Sequence, residues 1–302
     1  MSRFDPADLH GIHAILYALF DGDEKLDRGA MRRQTEVCLD AGVHGMAALG
    51  LATEASKLSE AERMAVMEWL VEDTAGKVPV ALTIFGPSVE EQVRQARHAV
   101  GAGADWLILQ PPIVGQFSAQ EYIRFFGRVA DAIDVPVAIQ NAPAFMGRGL
   151  TATDIAELVR QHPNITLIKG EGPVVDIAAL IEVTEGRLPV FNGRAGLELI
   201  DNLRAGCRGF ILAPDCIDHA VRAYEFYRDG WDEEADAAYR DMLPAVVFTM
   251  QGIENLMCYG KRLFGERAGL PVFDRAPALR PTATGLAMVE RFAEELGRLG
   301  EE

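Results

Sequence analysis

Eight times between residues 11 and 228, a run of β-branched and large apolar residues gives way to a stretch of helical period. The apolar runs fall at 11–20, 43–49, 78–85, 104–110, 135–140, 165–168, 188–191 and 208–212. Helical patterns follow each of them, at about 27–41, 59–75, from 88, from 118, at 151–161, 174–184, 195–205 and 217–228. Three of these helices open with a serine followed three residues later by glutamate, Ser59 with Glu62, Ser88 with Glu91 and Ser118 with Glu121, the form of a capping box. Strands that are apolar on both faces and separated by helices belong to a parallel sheet. Eight such units, each about the size of one βα repeat, predict an α/β protein with a closed (β/α)8 TIM barrel rather than an open sheet. The phosphate fingerprint GxGxxG of an open nucleotide-binding sheet is absent, and Gly101-Ala102-Gly103 precedes a strand, where it reads as a helix C-cap. After residue 231 the strand pattern stops. Helices are expected at about 232–250, 252–265 and 283–299, interrupted by Pro271, Pro277 and Pro281. The barrel is therefore expected over residues 1–230, with Phe4-Asp5-Pro6-Ala7 as a cap or arm, and a helical extension packed on it over 231–302.

A formal net charge of −16 argues against a nucleic-acid or anionic-membrane partner, which leaves a small molecule as the expected ligand. No apolar run has the length of a bilayer span, and no signal segment is expected at the start. Cys38, Cys207, Cys216 and Cys258 lack CxxC or zinc spacing and are expected to be reduced thiols of a cytoplasmic protein.

Barrel enzymes carry their chemistry at the C-terminal ends of the strands. Here those ends read Phe20-Asp21, Gly50 to Glu54, Phe85-Gly86, Gln110-Pro111-Pro112, Gln140-Asn141, Lys169-Gly170-Glu171, Asn192-Gly193-Arg194 and Pro214-Asp215. None holds a histidine. His13 and His44 lie in strands and read as core groups, so no metal ligand set is expected, and a GxSxG nucleophile elbow is missing. Of five lysines (Lys25, Lys57, Lys77, Lys169 and Lys261), Lys169 alone follows an apolar strand. Desolvation there would lower its pKa and leave free amine at neutral pH, the property of a Schiff-base nucleophile. The competing reading is a lysine whose stem is buried and whose ammonium reaches solvent. The loop Gly50-Leu51-Ala52-Thr53-Glu54 offers backbone N–H groups suited to a small carboxylate, or is an ordinary βα turn supported by Glu54.

The order of several motifs resembles the dihydrodipicolinate synthase and N-acetylneuraminate lyase superfamily over about residues 10–295. The resemblance is carried by Phe20-Asp21-Gly22, Gly50…Glu54…Leu58-Ser59…Glu62-Arg63, Ala102-Gly103-Ala104-Asp105 and Val135-Pro136-Val137. It continues through Asn141-Ala142-Pro143, Ile168-Lys169, Asn192-Gly193 and Gly206…Gly209-Phe210-Ile211. It implies a (β/α)8 barrel with a C-terminal helical extension, an imine between Lys169 and pyruvate or another 2-oxo acid, and no further cofactor or metal. It also implies a homodimer or homotetramer.

The chain departs from the family at the proton-moving residues. Where the family reads Gly-Thr-Thr-Gly-Glu, this sequence has Gly50-Leu51-Ala52-Thr53-Glu54; Leu51 cannot relay a proton and Ala52 keeps only its N–H. The family's Tyr-Asn-x-Pro is Gln140-Asn141-Ala142-Pro143, and an amide cannot exchange a proton at useful pH. The synthases' arginine two residues on is Phe145, with Arg148 nearby, and the tyrosine they share across a dimer is Ile113. The expected function is thus a Schiff-base lyase, aldolase or dehydratase, acting on a 2-oxo acid or aldehyde, and not dihydrodipicolinate synthase itself. In this reading Lys169 forms the imine and Gln140 and Asn141 orient the substrate. The Ala52 N–H, with the loop around Leu51, holds its carboxylate, and Phe145, Asn192, Gly193 and Ile211 complete the substrate site. Glu171, two residues past Lys169, is the candidate acid/base unless it is an exposed loop carboxylate; Tyr17 is a second candidate, set against a core role. Leu51, Ile113 and Phe145 suggest a less polar substrate tail. The alternative is a barrel that binds a carbonyl metabolite without turnover, as a sensor.

Overall fold

The computed structural model describes residues 4–300, so the outermost residues of the expected barrel and extension, 1–3 and 301–302, lie outside it. Eight parallel strands close on one another in sequence order. They are β1 (Gly11–Ile15), β2 (Gly45–Ala48), β3 (Val80–Ile84), β4 (Trp106–Leu109), β5 (Val137–Asn141), β6 (Ile165–Gly170), β7 (Val190–Asn192) and β8 (Gly209–Leu212). The intervening helices are α1 (Arg28–Asp40), α2 (Glu60–Thr74), α3 (Val89–Ala102), α4 (Ala119–Ala130), α5 (Ala152–Gln161), α6 (Val174–Val183), α7 (Leu199–Arg204) and α8 (Ile217–Arg228). Nearly every strand residue is buried, as a sheet covered by helices on one face and filled on the other requires.

The registers fix which side chains fill the barrel. His13 of β1 pairs with Ile211 of β8, Ala81 with Trp106, Gln140 with Lys169, and Lys169 with Phe191. Neighbours in register point to one face, and the inward face is identified by three rings from non-adjacent strands. His13 meets Phe191 and Trp106 at centroid distances of 5.0 and 5.9 Å, and Trp106 meets Phe191 at 5.9 Å. Rings from β1, β4 and β7 can meet only inside the barrel, where they close its lower end. Counting in steps of two from Trp106 of the plug brings Gln110 to the C-terminal end of β4, while Lys169 stands in register beside Phe191 and Gln140 beside Lys169.

Local chemistry sets the element ends. Ser59 and Glu62 form a full capping box. Ser88 and Ser118 accept from the N–H of Glu91 and Glu121, but the return bond is missing, because Glu91 pairs with Arg94 and Gln95 and Glu121 with Arg124. Thr151 and Asp154 supply a second full box, unforeseen because the N3 residue is aspartate. The first strand stops at Ile15 rather than Phe20, since the Gln34 amide satisfies both the N–H and C=O of Tyr17 (2.9 and 3.0 Å) in place of a ladder partner. The expected helix at 195–205 begins only at Leu199, after left-handed Arg194, Ala195 and Glu198, whose N–H groups follow a turn anchored by the Tyr239 hydroxyl on Glu198 N–H at 2.7 Å.

Beyond α8 lie α9 (Asp232–Thr249), a single turn at Ile253–Asn255, a π-helical segment at Leu256–Gly260, α10 (Lys261–Ala268) and α11 (Ala283–Leu296). The continuous helix expected at 252–265 is therefore broken into three geometries. Lys261 is 1% exposed, its ammonium paired with Glu54 of the β2–α2 loop. Glu54 also accepts from Lys57 at 2.5 Å. One buried carboxylate thus ties the C-terminal helices to the rim of the barrel, which settles Glu54 as a support of its loop. No helix among the described residues is long and apolar enough to cross a membrane.

Candidate active site

β6 runs through Lys169 and ends at Gly170, so the lysine lies inside the strand rather than closing it. Its stem faces the barrel interior and its Nζ stands 3.3 Å from Glu171 Oε1, with both residues buried, at 3% and 8% exposure. Residues two apart in extended chain share a face, so Glu171, just past the strand end, returns to the side on which Lys169 stands. Its backbone N–H donates to Asn141 O at 2.9 Å, which extends the β5–β6 pairing past the strand end and holds that orientation. Each charge is compensated by the other, which is what allows a lysine and a glutamate to be buried together. The expectation of an exposed loop carboxylate is not met.

A line of amides continues from this pair. Gln140 Nε2 donates to Glu171 Oε2 at 2.5 Å, and Gln140 Oε1 accepts from Gln110 Nε2 at 2.8 Å. Gln92 of α3 donates to Gln110 O at 2.9 Å and to Gly86 O at 3.2 Å, fixing the end of β4 from outside. Gln110 and Gln92 are not among the residues expected at the site; for Gln110 the signal is an inward position at a strand end, shared with Gln140, whereas Gln92 lies on α3. Gly193 completes the arrangement. A Cβ at that position would lie 2.4 Å from Glu171 Oε1, so the glycine is the space that the carboxylate occupies.

The β2 loop offers its backbone. Thr53 Oγ1 donates to Leu16 O at 2.6 Å and accepts from Leu49 N–H at 2.9 Å, pinning the turn. Leu49 and Glu54 hold positive φ of 66° and 53°, strain that non-glycine residues carry where the surrounding structure imposes it. No hydrogen bond within the described residues engages the N–H of Leu51 or Ala52. A cavity of about 360 Å³ borders this loop, lined by Leu49, Gly50, Leu51, Gln110 and Phe145 among others. Lys169, Gln140 and Glu171 are not among its lining residues; the link to them is Gln110, which lines the cavity and donates to Gln140, while Glu171 lines a separate cavity with Asn141, Pro143 and Gly170.

Other expected residues are placed elsewhere. The Asn141 amide is engaged with Leu150, donating to its C=O at 3.0 Å and accepting from its N–H at 2.8 Å, so it shapes the loop before α5. Asn192 donates to Gly172 O and Asn202 Oδ1, both at 3.0 Å, and accepts from Gly193 N–H at 2.7 Å, so its side chain braces the β6 and β7 loops. Ile211 is buried in the barrel interior in register with His13. The Tyr17 hydroxyl donates to Asp215 Oδ1 at 3.0 Å and abuts Gly260, facing the C-terminal segment, and burial pushes its pKa well up. His13 is buried in the ring plug with Nε2 3.1 Å from His10 O; His44 bonds Glu225 at 2.7 Å. Among the described residues no three His, Cys, Asp or Glu side chains converge as a metal site would need, and the four cysteines are buried and unpaired.

The barrel, with its chemistry-bearing groups gathered at the C-terminal ends of β4 to β7, defines a (β/α)8 enzyme. The model of the dihydrodipicolinate synthetase family matches residues 8–258, and the chain belongs to that family as one of its lyases. It is 30% identical over 300 residues to an uncharacterized DapA-like lyase of Halobacterium salinarum, covering 96% of this chain and 93% of the relative. It is 26% identical over 242 residues to the L-2-keto-3-deoxyarabonate dehydratase of Azospirillum brasilense, covering 78% of each. Among solved structures it is similar to YagE of Escherichia coli in complex with pyruvate, with a TM-score of 0.89 at 25% identity, covering 96% of this chain and 99% of that one.

Proposed function

We propose that the protein is a Schiff-base lyase that acts on a 2-oxo acid through Lys169, with Glu171 moving the protons. The observation that carries this is the 3.3 Å separation between the buried Lys169 Nζ and Glu171 Oε1 at the C-terminal barrel face. Glu171 takes a proton from the Lys169 ammonium, the free amine attacks the 2-oxo carbon, and Glu171 gives that proton to the resulting alkoxide; it then takes a second proton from nitrogen and passes it to the hydroxyl, which leaves as water. The protonated imine then draws electrons from the bond to be broken. In an aldol cleavage Glu171 takes the proton of the substrate hydroxyl as the C–C bond opens; in a dehydration it takes a C–H proton and returns it to the departing hydroxyl, which leaves as water. Gln140 cannot exchange protons, but its N–H aims the Glu171 carboxylate, and Gln110 fixes the amide that does so. The unengaged N–H groups of Leu51 and Ala52 receive the substrate carboxylate. The family relatives named for dehydratase chemistry and for a pyruvate complex support this substrate class. Exposed Ile113, Val114 and Phe117 in the β4–α4 loop support self-association of the chain as a homodimer or homotetramer.

Incubation with pyruvate and borohydride, followed by mass spectrometry of peptides, should add a reduced adduct at Lys169. A panel of 2-oxo acids that leaves Lys169 unmodified would sink the proposal. Exchange of the pyruvate methyl protons with deuterium, above a Lys169→Ala control, separates turnover from the alternative of a barrel that binds without reacting.

A further inference from the structure

The cavity bordering the β2 loop has a chemical asymmetry that bears on the substrate beyond its reacting carbon. Its walls are formed by Phe85, Ile113, Phe145, Met146, Ile253 and Met257. The polar groups that reach it are largely engaged within the protein. Lys57 donates to Glu54 at 2.5 Å and to Arg275 O at 3.2 Å. Arg148 donates to Met146 O at 3.0 Å and to Pro112 O. Gln110 faces Gln140 at 2.8 Å. Ser56 and Glu254 are the exposed polar members of the lining; Ile113 is exposed as well.

A polyhydroxylated chain placed in this space would exchange water for thioether, phenyl and branched aliphatic carbon. Each hydroxyl left without a partner there weakens binding, whereas each methylene buried strengthens it by about fourfold. The volume of about 360 Å³ is within the range of small-molecule sites and accommodates a phenyl or branched aliphatic group. The apolar residues come from four separate elements: the end of β3, the β4–α4 loop, the turn after β5 and the segment after α9. The apolar character is therefore a property of the whole chamber and not of one replaced loop.

We propose that the part of the substrate beyond its 2-oxo acid head is an unhydroxylated apolar group, aromatic or branched aliphatic. This rests on the Schiff-base reading for the head group alone. The test is the concentration of 2-oxo acid that half-saturates borohydride trapping at Lys169 in the wild-type protein. The probes are pyruvate, 4-methyl-2-oxopentanoate, 2-oxo-4-phenylbutanoate and 2-dehydro-3-deoxy-D-gluconate. The two apolar probes are expected to half-saturate at concentrations at least tenfold below the sugar acid. Equal concentrations, or a preference for the sugar acid, overturn the proposal, as does trapping of pyruvate without trapping of either apolar probe. Failure of pyruvate itself to trap is the separate failure of the Schiff-base reading. In that event, calorimetric titration of the same probes into the Lys169→Ala variant reads tail preference without an imine, with the same tenfold criterion. In a Phe145→Ser variant the apolar preference over the sugar acid should shrink by about threefold to tenfold; an undiminished preference removes Phe145 from the chamber's selectivity and counts against the proposal.

Discussion

Gly193 of the β7 loop and Glu171 of the β6 loop occupy a single space: a methyl group on the first would overlap Oε1 of the second at 2.4 Å. The carboxylate reaches Lys169 because the facing residue has no side chain. Gly193→Ala is accordingly expected to displace Glu171, lowering kcat at least tenfold and stability by about 1–3 kcal/mol, the usual effect of overpacking. Steady-state rates together with a denaturant titration check both parts, and wild-type kcat in the variant would show that Glu171 need not sit where it does.

Glu171→Gln keeps the shape of the side chain and removes its ability to carry a proton. Turnover should fall by about 10²–10⁴, as for loss of a positioned acid/base, while pyruvate remains trappable at Lys169 over longer incubation. Lys169→Ala should abolish trapping altogether. A glutamine variant with unchanged turnover would assign proton transfer to another group.

The Glu54–Lys261 pair makes a stability prediction remote from the chemistry. Lys261 is 1% exposed, and burial lowers its pKa. Glu54→Ala leaves that ammonium without its carboxylate and should destabilise the protein by roughly 3–5 kcal/mol, the range for removing one partner of a buried pair. Glu54→Ala combined with Lys261→Met should recover part of the loss. Chemical denaturation of the single and double variants measures the coupling.

Burial in the ring plug pushes the His13 pKa down to about 3, from an ordinary value of 6.5. The unfolded chain therefore binds a proton at His13 between those values while the folded chain does not. The favourable contribution is present above pH 6.5 and is lost progressively as pH falls from 6.5 towards 3. At the acid end the loss amounts to about 4–5 kcal/mol, from 1.36 kcal/mol per unit. A His13→Phe variant should have a shallower fall in stability over this window, measured by urea titrations at several pH values; parallel curves would show that His13 does not titrate on unfolding.

Much of this architecture is local and could be read from the chain. Apolar runs alternating with capped helices specify strand and helix by period and terminal hydrogen bonding, and eight such units in succession leave few closures other than a barrel. The position of Lys169 follows in the same way, from an apolar strand that carries a lysine near its end. What the order of residues could not fix is where long-range contacts send polar side chains. Asn141 stands at a strand end as a ligand would, yet its amide closes a loop on Leu150. Tyr17 belongs to an apolar run, yet it is turned to Asp215 across 198 residues. Glu54 looked like any turn carboxylate until Lys261, 207 residues away, was buried against it. The pairing of Lys169 with Glu171, the amides of Gln110 and Gln140 that aim it, and the room left by Gly193 depend on four neighbouring strands held in register. Parallel pairing couples residues about one βα unit apart, so only the closed barrel decides which side chains share its axis.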